Sequence, residues 1–483
     1  MDYVPIAIFW GLALIGLFGN RSLLIYLFFA TMPFGSFAVF PTNLTMGLTL
    51  TPTPIVACIL FLRTFLTAKA IRFGVSALFA PRGLLLLTLF WGIAILVTMF
   101  SPRFFAGHVI VVPMKLTRYF QSEFLEPTTQ NISQTLYLTI SVITVVTFAR
   151  LMLDARQQQN ALKALCVGGA VTVITGMLDY LSHFVPLDGL LDPFRTASYA
   201  LLTDVTLEGG TRRIVGLMPE ASSYGALCTQ LLTLIYFLRH AITDPVYRCK
   251  VVPVVATLLL LFVWLSTSSS AYVALVVFGA FAFLEFLWRA SQARRGSRAG
   301  RELALEFWAA FAVMAVVFIV FVARPEFFDA LFRLFDQMVF KKTGTSSFQE
   351  RTFWTLTSWR ALLDSYGAGV GMGGTRASNE IVAVLSNTGF LGGLFYYGFV
   401  LQSLLRRAYP GDVINTALVS GLRWAFLPGL TAGVLAGTSA DFGLKNAFLF
   451  GTIFAAAIVS WRAKGGNASV TPVKSGSARE AAV

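Results

Sequence analysis

The run Gly367–Glu380, GAGVGMGGTRASNE, places five glycines in eight residues and follows them with Arg376. Glycine-rich backbone can turn its N–H groups toward an anion, and a guanidinium fork matches phosphate oxygens in pairs. Gly369, Gly371, Gly374 and Arg376 therefore form a combination suited to phosphate. Two more arginines precede the run, Arg351 and Arg360. Nine residues apart on a helix advancing about 100° per residue, they lie on opposite sides. Arg351, beside Thr355 and Ser358 on the polar margin, is the one expected to face a pocket. Arg360, between Phe353 and Leu356, suits a lipid phosphate at the interface.

A second constellation, RRIVGLMPEASSYG, sets Arg212 and Arg213 ahead of Glu220 at the mouth of an apolar segment. A carboxylate at a membrane boundary is expensive and points to function. Glu220 is accordingly a candidate functional residue, with Arg212 and Arg213 ahead of it. Each feature also has a purely structural explanation. The glycines let the chain turn sharply, the arginines anchor the interface, and Glu220 pairs with Arg213 to fix helix packing. Gly369, Gly371 and Gly374 formally satisfy GxGxxG, but a Trp-rich helix precedes them where a dinucleotide site needs a strand, and no Gly-Lys-Ser/Thr follows for a P-loop. His108 and His183 stand singly, without metal-ligand spacing, so no metal site is expected.

The elements that must position these groups are membrane helices. Of 483 residues 56% are hydrophobic and 12% charged, far from the roughly one-quarter charged of soluble domains. A span takes about 20 apolar residues. Apolar windows centre near Ile8, Phe28, Ile55, Leu87, Val142, Val171, Leu231, Leu260, Val277, Val316, Leu391, Leu430 and Ile453. The expected fold is an all-α, polytopic membrane helix bundle of 12–13 transmembrane helices, a single domain over residues 1–462, with a disordered tail at 463–483. The first window lacks a basic leader and is expected to be a retained span. The net charge of +14 is expected to reflect orientation and not nucleic acid. Basic residues gather in alternate connections, at Arg63–Arg82, Arg150–Lys163, Arg239–Lys250, from Arg289, at Arg406 and Arg407, and in the tail. By the positive-inside rule these are cytoplasmic. The opposite side receives the longer connections 101–133, 182–213 and 324–379. The last is expected to carry two amphipathic interfacial helices, one over Phe328–Val339 and one opened by a capping box at Ser347–Glu350 and ending near Ser365. Cys58, Cys166, Cys228 and Cys249 suggest no disulfide framework.

Taken together, the segment SSFQERTFWTLTSWRALLDSYGAGVGMGGTRASNEIVAVLSNTGFLGGLFYYG, the stretch PEASSYG and the span start STSSSAYVALVV resemble the O-antigen polymerase and O-antigen ligase superfamily of bacterial envelope proteins. The resemblance covers about Arg212 to Trp461. It implies a fold similar to the C-type membrane glycosyltransferases, the inner membrane as location and a site facing the periplasm. It also implies transfer of a glycan from undecaprenyl pyrophosphate to an acceptor sugar hydroxyl, with no metal or cofactor, in O-antigen, capsule or exopolysaccharide synthesis. The implied partners are the undecaprenyl-pyrophosphate-linked oligosaccharide, membrane lipids and a chain-length regulator. Loop arginines hold pyrophosphate in such enzymes, a role that falls here on Arg351 and Arg376, with Arg213 the candidate from the second loop, and the acceptor hydroxyl's proton then falls to Glu220. Ligases carry His immediately before the Asn of this turn, whereas this chain has Ser378, which favours the polymerase. A lipid-linked sugar flippase or transporter is the more distant alternative.

Overall fold

The computed structural model describes residues 3–41, 45, 49–114, 120–199, 201–203, 212–292, 298–323 and 346–467. The chain there is almost wholly α-helical. In order the main helices are α1 (Val4–Phe18), α2 (Arg21–Ala30), α3 (Pro52–Thr64), α4 (Ala68–Phe79), α5 (Leu85–Phe104), α6 (Thr129–Leu151), α7 (Ala155–Leu181), α8 (Ala221–Leu238), α9 (Val252–Leu265), α10 (Ser269–Gln292), α11 (Arg298–Ala323), α12 (Ser346–Asp364), α13 (Glu380–Leu405), α14 (Val413–Ala436) and α15 (Gly443–Asn467). A short antiparallel pair, β1 (Ile110–Val111) with β2 (Glu123–Phe124), lies between α5 and α6.

The protein is a multi-pass membrane helix bundle. Nine helical segments among the described residues are long and apolar enough to cross, and ten if the bent pair α3 and α4 counts as one. Of the expected 13 windows, the first two, near Ile8 and Phe28, fall on helices too short to cross. Gly19 closes α1, and the side chain of Asn20 accepts from the Ser22 amide at 2.9 Å to open α2. Helices of 15 and 10 residues reach only about 22 and 15 Å, against a hydrocarbon core of roughly 30 Å. Pro52 and Pro54 stand at the start of the third window. They begin α3, where a missing N–H costs nothing. The chain then turns by 114° into α4, which the hydropathy pattern does not separate from α3.

At the other end α15 continues to Asn467, past the expected start of the tail, and residues 468–483 lie outside the described residues. So does the expected amphipathic helix at Phe328–Val339. Helix α12 ends at Asp364, close to the expected Ser365.

Contacts between connections fall into two sets. At the basic ends Lys163 pairs with Asp244 at 2.6 Å, Arg289 with Glu306 at 2.5 Å, and Gln158 meets Asn415 at 3.2 Å. At the opposite ends Thr98 accepts from the Met372 amide at 2.9 Å, the Arg376 amide donates to Val112 O at 3.0 Å, and the Ser36 amide donates to Leu217 O at 2.9 Å. The long connections thus gather on one face, the loop face. A small core of Val109, Val111, Leu125, Ala361 and Val370 seals them there, separate from the main core of the bundle.

Helix α13 departs from a simple span. Gly389 breaks it with φ 73° and ψ 175°. Beyond the break the Tyr396 hydroxyl donates to Glu380 Oε1 at 3.2 Å, although a straight helix would set residues 16 positions apart about 24 Å from one another. A Cβ on Gly393 would likewise meet Leu385 Cδ2 at 2.3 Å. Residues 380–388 therefore fold back against 390–405 as the short arm of a V, and Gly393 lets the arms approach.

Candidate functional site

The glycine run closes the tip of this V. Gly367, Gly369, Gly371 and Gly373 all have positive φ, the conformation that only glycine adopts without strain. The Gly369 amide donates to Ser365 Oγ at 3.2 Å, that of Gly371 to Asn387 O at 3.0 Å and that of Gly374 to Gly371 O at 2.9 Å. A backbone N–H is a single donor, so the anion cradle expected at these three buried glycines is already filled from within the protein. Their smallness serves packing. A Cβ on Gly369 would lie 2.4 Å from Gly389 N, one on Gly371 3.1 Å from Thr98 Cα, and one on Gly374 2.4 Å from Val370 O.

What the run does is present Arg376. Thr375 Oγ1 bonds Ser358 Oγ at 2.8 Å and accepts from the Val112 amide at 3.2 Å, while Asn387 Nδ2 donates to Thr375 O at 3.1 Å. Ser358 Oγ also donates to Arg376 O at 2.9 Å, and the Ser378 amide donates to Thr355 Oγ1 at 3.1 Å. Backbone fixed from three elements fixes the side chain. The Arg376 guanidinium lies over the Trp354 ring, 4.3 Å from its centroid, a contact worth about 0.5–2 kcal/mol. Its Nε is buried without a hydrogen-bond partner, as is Trp354 Nε1.

Charges from separate parts of the sequence converge here. Burial draws the Arg376 guanidinium below its ordinary value, with Glu220 raising it, Arg351 lowering it and Glu350 raising it. Burial lowers Arg213 too, and Glu220 again opposes the shift. Both arginines stay charged near neutrality. Glu220 thus stands in electrostatic range of both. Its Oε1 accepts from Ser222 Oγ in a short hydrogen bond, and it caps the start of α8 in extended backbone. Arg213 donates to Thr267 O at 3.1 Å and keeps a buried Nε without a partner. Arg351 is half-buried and Arg360 exposed. Arg213, Arg351 and Arg376 against Glu220 and Glu350 make three cations and two carboxylates, an excess of one positive charge suited to an anion.

Arg213 and Glu220 are held by an anchor that sequence reading did not identify. Asp179, fully buried near the end of α7, pairs with Arg195 at 2.9 Å and accepts from the Val215 and Gly216 amides at 2.7 and 2.9 Å. A single carboxylate therefore ties Arg195 and the Val215–Gly216 backbone together beside the site. Asp179→Asn keeps the shape but surrenders the charge and part of the acceptor capacity. The expected cost is about 1–3 kcal/mol, read as a lower thermal midpoint of the detergent-solubilised protein. An unchanged midpoint would show that the clip carries no stability. Asp179 has no neighbouring sequence motif, and only the apolar run around an isolated Asp hints at it.

Other expected features are less organised. His108 is exposed, its Nδ1 lying 2.8 Å from Ala106 O, and no group of three or more His, Cys, Asp or Glu able to hold a metal occurs among the described residues. The four cysteines are free thiols. The chain matches no protein-family model, and no curated protein matches it at a significant level.

Proposed function

We propose that this protein is a polysaccharide polymerase of the bacterial inner membrane. It would move a glycan from undecaprenyl pyrophosphate to the sugar of another lipid-linked repeat unit at the periplasmic face. The observation that carries the reading is the meeting of Arg213 and Arg376 with Glu220, and of Arg351 with Arg376, from connections far apart in sequence, on the loop face. In this reading the acceptor hydroxyl oxygen attacks the anomeric carbon as the bond from that carbon to the diphosphate oxygen breaks. Glu220 takes the hydroxyl proton. The guanidinium groups neutralise the charge that grows on the departing diphosphate, and Arg376, already stripped of much water against Trp354, is placed to gain most from that charge. The phosphate-binding role expected of Gly369, Gly371 and Gly374 passes to the side chains, and the glycines shape the turn.

A ligase of the same superfamily uses the same donor and is the near alternative. Transport is supported by one observation, the folded-back arm of α13 with Glu380 near its end, because broken helices carrying ionisable groups occur along transport paths. Deleting the gene separates the three. A polymerase defect leaves single lipid-linked repeat units on the outer leaflet, and this is the expected result. Finished polymer unattached to its final acceptor would identify a ligase, and repeat units confined to the inner leaflet would identify a flippase; either outcome would overturn the proposal.

A further inference from the structure

Hydropathy merges α3 and α4 into one window, yet α4 does not complete a crossing. Its 12 residues reach only about 18 Å, and it leaves α3 at 114°. The break between them is packed. A Cβ on Gly74 would lie 2.8 Å from Phe65 Cε1, and Thr67 caps α4 by accepting from the Ala70 amide at 3.3 Å. The far end of α4 is tied to α5 and α13. Thr88 Oγ1 donates to Leu78 O at 2.9 Å, Gln402 Nε2 donates to Pro81 O at 3.1 Å, and Arg406 donates to Gly83 O in a short hydrogen bond. Helix α5 is a span of 20 residues whose other end meets the glycine run through Thr98. Ending just before that span begins, α4 runs along the basic ends of the bundle, at the depth where the spans stop.

Three rows divide the surface of this helix. Ala70, Gly74 and Ala77 are buried where α4 packs on α5 and α6, and the Arg150 guanidinium of α6 lies over the Phe73 ring, 5.7 Å from its centroid. Ile71, Val75 and Phe79, four residues apart, are each more than half exposed. On the remaining side Lys69, Arg72 and Ser76 are exposed too. An apolar row and a basic row left bare side by side suit neither water nor hydrocarbon alone. The boundary between the two satisfies both, with the apolar row among acyl chains and the charged tips among headgroups. The charge there has one sign. Between Asp2 and Glu123 the sequence carries no acidic residue, and the ion pairs among the described residues do not use Lys69, Arg72 or Arg82. A zwitterionic headgroup brings a cation with its phosphate and gains little from such a patch, whereas an anionic headgroup keeps the whole attraction. We propose that α4 is an in-plane helix that binds anionic phospholipid in the leaflet at the basic ends. Lys69 and Arg72, neighbours on one row, take the headgroup phosphate, and the row of Ile71, Val75 and Phe79 lies against the acyl chains. The length of α5, about 30 Å, separates this surface from the arginine site, and the proposal is independent of the reaction carried out there.

The test titrates delipidated full-length protein in detergent with phosphatidylglycerol or phosphatidylcholine and counts bound lipid by native mass spectrometry. The wild type is expected to bind phosphatidylglycerol more tightly, by roughly tenfold or more. Lys69→Gln combined with Arg72→Gln should lower phosphatidylglycerol affinity roughly 25-fold, about fivefold for each basic group, and leave phosphatidylcholine binding unchanged. Arg248→Gln combined with Lys250→Gln removes the same charge beside Asp244, at the same ends of the bundle, and is expected to keep the wild-type preference. Val75→Glu sets a carboxylate one turn from Arg72 without altering either basic residue. It should lower the same affinity, and it decides the matter if the Lys69 and Arg72 double variant misfolds. Equal affinity of the wild type for the two lipids would overturn the proposal and leave the basic row to an acidic protein. An equal loss in the two double variants, the mark of net charge alone, would also overturn it. So would displacement of phosphatidylglycerol by millimolar inorganic phosphate, which would make the ligand a free anion.

Discussion

Arg376→Ala is expected to slow polymerisation of lipid-linked repeat units roughly 10- to 150-fold while leaving the protein normally abundant. The range follows from a charge-assisted hydrogen bond worth about 1.5–3 kcal/mol, felt mainly as diphosphate charge grows in the transition state. The side chain is half-buried against Trp354 and its Nε has no protein partner, so its removal leaves few protein contacts to mourn and an anion short of one counter-charge. Lysine keeps the charge but loses both the planar fork and the flat contact with the indole, and Arg376→Lys should recover only part of the rate. Arg360 provides the control. It lies on the same connection but is exposed, and Arg360→Ala should polymerise at the wild-type rate. The measurement is conversion of purified lipid-linked units by the full-length protein in nanodiscs. A normally abundant Arg376→Ala that works at the wild-type rate would reduce the loop to a bend in the chain.

Gly389→Val is expected to destabilise the protein by roughly 2–6 kcal/mol, from backbone strain at positive φ together with overpacking. At Gly389 φ is +73°, and an added Cβ would sit 2.4 Å from Ala368 O and 2.7 Å from Gly367 O. Those carbonyls belong to the glycine run, and the Gly367 O accepts from the Phe390 amide at 3.0 Å. Neither side can yield without opening the V or lifting the loop that carries Arg376. Loss of folded protein, measured as yield and thermal midpoint, should therefore exceed that of Gly443→Ala, where φ is +75° but no atom lies within 4 Å. Equal losses would mean that the overlap with the loop contributes nothing. Gly371→Val belongs with Gly389→Val. It should impair transfer because its Cβ approaches Pro102 Cγ at 3.0 Å and Thr98 Cα at 3.1 Å, a clash with α5.

The sequence by itself determined the membrane class, the positions of most helices and the sorting of basic residues into alternate connections. These follow from local sums. Twenty residues decide whether a segment prefers lipid, and they do so largely without regard to the rest of the chain. It also singled out Glu220, Arg213, Arg351 and Arg376, since charged groups are few in so apolar a chain and stand out against it. What those residues share was not local. The charges of Glu220 and Arg376 meet only because α12, Val112 just after β1, and α13 hold Thr375 and Arg376 in place while Asp179 holds the other connection. Periodicity cannot report the sign of φ, so LSNTGFLGG reads as an unbroken span whether Gly389 continues the helix or reverses it. The same blindness hid the contact of Glu380 with Tyr396. The glycine run misled for a related reason. Its composition announces free amides, but whether they stay free depends on which acceptors the fold brings to them, and here Ser365 and Asn387 arrive first.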